Sequence, residues 1–233
     1  MTEIASLQAA IVAGGLGSRM GQATAQLPKP MLRVLGKPLL EHQLLWLQRL
    51  GFDEITLCLG CKADAVQAYF GDGARWGLKL RYAVETAPRG TAGCIRDLAS
   101  DRDVLVVYGD LYPEIDLAPL LSFHTRHADA AATLLLLETD HPQDSDLARV
   151  DGERITEIYR GVQGNLALAA VWIVRPALMR LIPEGRPSDF GRDIFPAALA
   201  QGLSLKGCRM KGVLADLGTP ERLARFERSA RPA

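Results

Sequence analysis

The stretch that decides the fold reads LQAAIVAGGLGSRM over residues 7–20. Its first half, Leu7–Ala13, is a short apolar run of the kind that forms a buried β-strand. The second half is rich in glycine, and a glycine loop after a buried strand lets backbone amides approach phosphate oxygens closely. The loop is not a Walker loop, because Gly-Lys-Ser/Thr is missing, and it is not the dinucleotide GxGxxG, because Met20 ends it. A plain tight turn therefore stays open as the alternative.

Downstream of this strand, helical and strand-like segments alternate. Apolar residues at helical spacing predict helices, and short apolar runs predict strands. The predicted order is helix Leu39–Leu50, strand Glu54–Leu59, helix Ala63–Phe70, strand Leu78–Val84, helix Thr91–Ala99 and strand Val104–Val107. This alternation predicts an α/β protein with a mostly parallel sheet and helices on both faces.

The second half of the chain is less regular. The turn signal Asp151-Gly152 between two strand-like segments, Ala148–Val150 and Arg154–Tyr159, predicts a β-hairpin. Further predicted segments are strands Ala131–Leu137, Leu166–Val174 and Leu205–Met210, and helices Pro176–Leu181, Asp193–Ala200 and one that Thr219 caps. Because the sequence shows no repeat or linker, we expect a single domain over residues 1–233, with a mixed sheet and a small β-rich insertion.

Charge and composition exclude several classes of protein. Basic and acidic residues both number 27, so no net field attracts nucleic acid or a membrane surface. No apolar stretch approaches the roughly 18–20 residues of a membrane span, and residues 1–10 lack the basic cluster of a signal peptide. We therefore expect a cytoplasmic protein with neither nucleic acid nor membrane among its partners, and the sequence leaves a homo-oligomer open.

Cysteine spacing gives one competing metal signal. Cys58 and Cys61 form a CxxC pair, but no second pair follows, and the four cysteines are too few for a disulfide framework in a chain of this length. Because Cys58 lies in a strand-like run, buried or half-buried structural thiols are the better interpretation.

Two basic residues near the glycines are candidates for polyphosphate binding. Arg19 directly follows the loop, where a guanidinium can clamp phosphate oxygens. Lys29 stands between Pro28 and Pro30, which restrict the backbone on both sides of it. A solvated lysine needs no such restriction, so the pattern favours a functional role over a surface one.

Together with other motifs in the same order, these residues resemble the sugar-1-phosphate nucleotidylyltransferase family. The matching segments are Gly14-Gly15-Leu16-Gly17-Ser18-Arg19-Met20, Pro28-Lys29-Pro30-Met31, Gly36-Lys37-Pro38-Leu39-Leu40-Glu41, Tyr69-Phe70-Gly71-Asp72-Gly73, Gly90-Thr91-Ala92-Gly93, Tyr108-Gly109-Asp110 and Asp216-Leu217-Gly218-Thr219-Pro220. The resemblance spans nearly the whole chain, and the ordered combination is highly specific. It implies a Rossmann-like domain of the nucleotide-diphospho-sugar transferase type, which joins a nucleoside monophosphate to a sugar 1-phosphate and releases pyrophosphate.

The resemblance also implies roles for particular residues. Lys29 would bridge the α-phosphate of the nucleoside triphosphate and the incoming phosphate, and Arg19 would hold the β- and γ-phosphates. Asp110 follows a predicted strand, and carboxylates at that end of parallel strands point into the ligand crevice. With Asp216 it would hold Mg²⁺, the expected cofactor. The catalytic set is therefore Arg19, Lys29, Asp110 and Asp216, and the nucleotide-binding set is Ala13, Gly14, Gly15, Gly17, Ser18, Arg19, Glu85, Gly90, Thr91 and Gly109.

By the same resemblance, Glu85 faces the nucleobase. Relatives that use uracil or thymine often have glutamine here, whose amide both donates and accepts, whereas a carboxylate only accepts. Guanine presents two adjacent donors, so Glu85 favours GTP, with a surface position as the alternative. The segment around Pro28-Lys29-Pro30 is most similar to D-glycero-D-manno-heptose 1-phosphate guanylyltransferases, which serve surface-polysaccharide synthesis.

The predicted acceptor pocket departs from the family pattern. Tyr159-Arg160 replaces the family's Glu-Lys pair. The candidate sugar-phosphate-binding residues are therefore Lys29 and Arg160. The family's Asn-Ala-Gly is Leu168-Ala169-Ala170 here, which predicts a narrower pocket floor and a lost hydroxyl partner. The alternatives are a mannose-1-phosphate guanylyltransferase, a hexose-1-phosphate uridylyl- or thymidylyltransferase, a cytidylyltransferase acting on a non-sugar phosphate, and a catalytically silent nucleotide-sensing homologue.

Overall fold

The computed structural model describes residues 6–15, 27–98, 101–211, 213–217 and 219–229, with only the backbone described at Val213, Leu214, Asp216, Pro220 and Ser229. The strands are β1 Leu7–Val12, β2 Arg33–Val34, β3 Lys37–Pro38, β4 Glu54–Leu59, β5 Lys79–Val84, β6 Asp103–Tyr108, β7 Leu111–Glu114, β8 Ala132–Glu138, β9 Leu147–Asp151, β10 Arg154–Tyr159, β11 Leu166–Val174, β12 Leu205–Arg209 and β13 Val213–Asp216. The helices are α1 Leu39–Arg49, α2 Ala63–Phe70, α3 Gly90–Gly93, α4 Ala118–Arg126, α5 Pro176–Met179, α6 Phe195–Ala200 and α7 Pro220–Ser229.

These residues fall into two compact units. The first unit consists of the described residues of Ala9–Pro88, Val107–Ile115 and Val213–Ala233, and the second of those of Met1–Gln8, Arg89–Val106 and Asp116–Gly212. In the first unit, β1, β4 and β5 pair in parallel in the order β5-β4-β1. Parallel neighbours end at the same edge of a sheet, so the residues that follow these strands lie side by side.

Helix α1 packs its apolar face into the first unit. Leu40, Leu44 and Leu47 are fully buried at helical spacing. The helix stops at Gly51, whose φ of 97° is the left-handed conformation that commonly ends a helix. Because this packing holds α1 in place, it also fixes the positions of the side chains that α1 directs at neighbouring segments.

Two short antiparallel pairs complete the first unit. Strands β2 and β3 form a hairpin whose turn residues, Leu35 and Gly36, both have positive φ, as a type I′ turn requires. Strands β7 and β13 pair so that Asp216 lies opposite Leu111. The backbone of Asp216 is therefore next to the segment that begins at Asp110.

The second unit contains a mixed sheet with the order β11-β8-β12-β10-β9. Strand β8 pairs antiparallel with β11 and parallel with β12, and β9 and β10 form the predicted hairpin with Gly152 at positive φ. Trp172, Phe190 and Phe195 pack together in its core, with ring centroids 5.2–5.4 Å apart.

The fold class predicted from sequence is confirmed: the chain has a mixed α/β sheet with helices. The predicted bounds of β4, α2, β10 and β11 agree with the structure, and Thr219 Oγ1 accepts from Arg222 N as the predicted cap of α7. The single domain over residues 1–233 stays a prediction.

Several predicted elements were wrong in extent. The helix predicted over Thr91–Ala99 is the short α3 followed by a 3₁₀ turn at Arg96–Leu98, because Ile95 N and Leu98 N donate to the carbonyls three residues earlier; Ala99 lies outside the described residues. The helix predicted at Asp193 begins earlier, with a π turn over Phe190–Ile194. Strands β2, β3, β7 and β13 and helix α4 were not predicted.

The cysteine prediction was half right. Cys58 is buried in β4, as expected, but Cys61 is exposed because it lies in the turn that follows the strand.

Candidate active site

The ends of β1, β4 and β5 bring the start of the glycine loop next to Glu85. Ala13 N donates to Cys58 O at 2.8 Å, and Glu85 N donates to Leu59 O at 2.9 Å, so the parallel hydrogen bonding continues one residue past the ends of β1 and β5. Ala13 and Gly14 therefore follow β1 at the same edge where Glu85 follows β5.

The fit around Gly14 is too close for a side chain. A Cβ on Gly14 would lie 2.7 Å from Glu85 Oε1, and a Cβ on Gly60 would lie 2.6 Å from Gly14 O. Gly15 is exposed, and a Cβ there would meet nothing within 4 Å. The Glu85 carboxylate thus lies against the first glycine of the loop and not in open solvent.

A second close approach holds the turn that carries Asp110. Gly109 N donates to Val12 O at 2.8 Å, and a Cβ on Gly109 would lie 2.9 Å from the Cβ of Ala13. Only glycine fits between the end of β1 and Asp110, which explains the predicted Gly-Asp pair in steric terms.

Lys29 and Asp110 form an ion pair at this turn. Lys29 Nζ donates to Asp110 Oδ2 at 2.8 Å, and Lys29 is 8% exposed. Pro28 and Pro30, both buried, flank it in a 3₁₀ turn that Met31 N closes by donating to Pro28 O. The ammonium group is therefore aimed by a restricted backbone, and the carboxylate serves as its counterion in this state.

The backbone of Asp216 runs beside the same turn. Leu217 N donates to Asp110 O at 3.1 Å, and Asp216 pairs with Leu111 across β13 and β7. The side chain of Asp216 lies outside the described part of the structure. Within the described residues, no three His, Cys, Asp or Glu side chains cluster as metal ligands.

Gly90 and Thr91 lie in the second unit, where they contact the segment at Ser188–Phe190. A Cβ on Gly90 would lie 2.3 Å from Ser188 O, and Gly90 has a φ of 75°. Thr91 Oγ1 donates to Asp189 Oδ2 at 2.7 Å and accepts from Phe190 N at 3.1 Å. Both residues have a structural reason for their identity, and their predicted nucleotide contact stays a prediction.

Arg160 also lies in the second unit and is exposed. Arg160 Nε donates to Asp146 Oδ1 at 2.5 Å. This hydrogen bond, with the negative charges of Asp146 and Asp189, raises the pKa of the Arg160 guanidinium above its usual value. Sequence reasoning missed Asp146, since a lone aspartate in a polar loop gives no signal, and pairing over a separation of 14 residues is invisible in the sequence.

Ala170 has a backbone conformation that suits glycine. Its φ is 53°, and the pairing of β11 with β8 shifts register between Leu168 and Trp172, which marks a bulge. Ala170 therefore has a left-handed backbone conformation, which glycine adopts more readily, at the position where the family pattern given above has glycine. Three predicted nucleotide-binding residues, Gly17, Ser18 and Arg19, lie outside the described residues.

Comparison with solved structures defines the class of fold. HddC from Yersinia pseudotuberculosis, complexed with GMP-PN, matches with a TM-score of 0.80 and 24% identity, over 96% of this chain and 99% of that one. The chain thus has the nucleotide-diphospho-sugar transferase fold.

The chain belongs to the nucleotidyl transferase family, whose model matches residues 8–231. It is 32% identical to the mannose-1-phosphate guanylyltransferase of Mycobacterium tuberculosis over 94% of this chain and 63% of that protein. It is 28% identical to the UTP–glucose-1-phosphate uridylyltransferase of Synechocystis sp. over 91% of this chain and 60% of that protein. The chain therefore spans about three fifths of the length of these curated relatives.

Among the described helices, none is long and apolar enough to cross a membrane.

Proposed function

We propose that this chain transfers a nucleoside monophosphate from a nucleoside triphosphate to a sugar 1-phosphate and releases pyrophosphate. The observation that carries the proposal is the 2.8 Å pair of Lys29 with Asp110, next to the contact of Gly109 with Val12 and Ala13 at the end of β1. Family membership and the names of the relatives support the same reaction class.

In this reaction, a phosphate oxygen of the sugar 1-phosphate forms a bond to the α-phosphorus. The bond from that phosphorus to the bridging oxygen breaks, and pyrophosphate leaves with the bonding electrons. The attacking oxygen is already an anion, so no general base is needed. The barrier is the approach of two anions and the charge on the leaving group, which positioned cations lower.

Lys29 is the described cation best placed for this work. Its ammonium is nearly buried and already faces a carboxylate, so it can exchange the Asp110 oxygen for phosphate oxygens when substrates bind. A pre-aimed ammonium stabilises developing charge more than a solvated one, because little reorganisation is needed. Arg19 would hold the β- and γ-phosphates.

Mg²⁺ is the cofactor that we propose, held by Asp110 and Asp216. The Asp110 side chain keeps 30% of its surface exposed, so its carboxylate can reach an ion as well as Lys29. A bound Mg²⁺ would neutralise phosphate charge and bring both substrates to one centre.

GTP is the proposed triphosphate. The Glu85 carboxylate beside Gly14 supports this choice, since it can accept from the two adjacent donors of guanine. Several relatives named guanylyltransferases agree with it, while the uridylyltransferase relative keeps UTP as the alternative.

For the acceptor, we propose D-glycero-α-D-manno-heptose 1-phosphate, and with it a cytoplasmic role in surface-polysaccharide synthesis. Mannose 1-phosphate is the second candidate, favoured by the relative from Mycobacterium tuberculosis. Arg160, paired with Asp146, is the basic residue proposed to meet the sugar phosphate.

The test is pyrophosphate release with GTP, UTP, dTTP and CTP, each combined with heptose, mannose and glucose 1-phosphates and with a phosphorylated polyol. We expect release that requires both substrates and is fastest with GTP and the heptose or mannose phosphate. If pyrophosphate were released with the phosphorylated polyol and with none of the sugar phosphates, the acceptor would be a non-sugar phosphate and not a sugar 1-phosphate. Tight GTP binding with no release for any acceptor would support the nucleotide-sensing homologue.

A further inference from the structure

A buried amide on α1 holds the turn that carries Asp110. Gln43 is fully buried. Its Nε2 donates to Tyr108 O and to Leu111 O, both at 2.8 Å. The two acceptors belong to the residues on either side of Gly109-Asp110. One amide group therefore forms hydrogen bonds to both ends of this turn.

The geometry fixes the orientation of the amide. Turning the side chain over would set its own carbonyl oxygen against two backbone carbonyls, which repel it. In the orientation observed, Gln43 Oε1 is buried and has no hydrogen-bond partner among the described residues. A buried, unsatisfied oxygen destabilises the fold by about 1–3 kcal/mol, so this position is not optimised for packing alone.

The same turn is held from its other sides. Gly109 N donates to Val12 O, Leu217 N donates to Asp110 O, and Lys29 Nζ donates to Asp110 Oδ2. With the two bonds from Gln43, these contacts leave the turn little freedom. The direction of the Asp110 carboxylate depends on the backbone that Gln43 holds.

We propose that Gln43 is a positioning residue for Asp110, an inference that rests on the proposed function. Gln43 is fully buried, so its role would be to act through the backbone and not by contact with a substrate. It sets the backbone at Tyr108 and Leu111 so that the Asp110 carboxylate meets Lys29 before substrates bind and faces the phosphates afterwards. Displacing a group of this kind by about 1 Å can lower a rate about 100-fold.

Helix α1 provides matched controls. Gln48 Nε2 donates to Trp76 O, and Trp46 Nε1 donates to Ile115 O. These bonds join the same helix to segments that carry no predicted site residue. Gln43 and Gln48 are thus the same residue type on the same helix, and both donate to backbone carbonyls. They differ in that only Gln43 holds a segment that carries a predicted site residue.

The experiment compares Gln43→Glu and Gln43→Met with Gln48→Glu. Gln43→Glu keeps the shape of the side chain but places a carboxyl oxygen against the carbonyls of Tyr108 and Leu111. Gln43→Met keeps the length of the side chain and removes the N–H donor without adding charge. Each protein is assayed for kcat and for KM of both substrates, and hydrogen exchange is followed in the peptide that contains Gly109.

We expect both Gln43 variants to lose about 10- to 100-fold in kcat, with KM for the triphosphate within about threefold. The amide of Gly109 should exchange faster in both, and Gln48→Glu should match wild type in each measurement. Wild-type kcat in a folded Gln43→Met protein would overturn the proposal, as would equal losses in Gln48→Glu. If wild type released no pyrophosphate, the proposed reaction would fail on its own. The exchange data would then still decide whether Gln43 holds the turn.

Discussion

Replacing Lys29 removes the cation that faces Asp110, and methionine keeps most of the side-chain volume. Asp110 then loses its 2.8 Å donor, but with 30% of its side chain exposed it can be hydrated instead. We therefore expect a stability loss of only about 1–2 kcal/mol, or about 2–8 °C in Tm for a chain of this size.

The effect on the reaction should be larger. A pre-aimed cation at developing charge contributes roughly 3 kcal/mol to the transition state, which corresponds to at least about 100-fold in rate. We expect Lys29→Met to lower the single-turnover rate by that factor and to change triphosphate affinity little. The assay is rapid-quench pyrophosphate formation at saturating substrates, with thermal unfolding measured on the same samples.

Lys79→Met is the matched control for this variant. Lys79 Nζ pairs with Glu54 at 3.0 Å, but its side chain is 68% exposed, and exposed pairs contribute about 0–1 kcal/mol. Its rate should equal that of wild type. A Lys29→Met protein with a near wild-type single-turnover rate would refute the role of the pair.

Three further predictions follow from the site. Asp110→Asn and Asp216→Asn should each raise the Mg²⁺ concentration needed for half-maximal activity, and the double variant should be hardly worse than the worse single one, since both carboxylates serve one ion; additive losses would mean separate roles. Glu85→Gln should shrink the GTP/UTP ratio of kcat/KM about 10- to 100-fold, because it loses a guanine contact worth roughly 1.5–3 kcal/mol; an unchanged ratio would remove Glu85 from the base site. Ala170→Gly should change stability by no more than about 1 kcal/mol, because relief at its φ of 53° opposes the added chain entropy; a large loss of Tm would show that the methyl group is packed.

The sequence predicted the elements whose pattern is local. Strands β4, β10 and β11 are continuous apolar or alternating runs, and their bounds agree with the structure. The pairing of Lys29 with Asp110 was not in the pattern itself. The resemblance assigned both residues to one reaction without pairing them, and the structure brings Lys29 Nζ and Asp110 Oδ2 to 2.8 Å.

What the sequence missed depends on contacts between distant segments. Strand β13 pairs with β7, which lies about 100 residues earlier, and Pro113 within β7 obscured that strand. The amides of Ala92 and Gly93 at the start of α3 donate to Ser188 O, about 95 residues later, a contact that no local pattern shows. Gln43 appeared as one more polar residue on a helix, since its two acceptors lie more than 60 residues away.

The most direct test of the proposed reaction follows the α-phosphate itself. GTP labelled with ³²P at the α-position is incubated with the chain, Mg²⁺ and heptose or mannose 1-phosphate, and the products are separated by chromatography. We predict that the label moves into a nucleoside diphosphate sugar in step with pyrophosphate release, and that Lys29→Met slows both together. Label recovered only as GMP would contradict the transfer reaction, and unchanged GTP with every acceptor would contradict GTP as the donor.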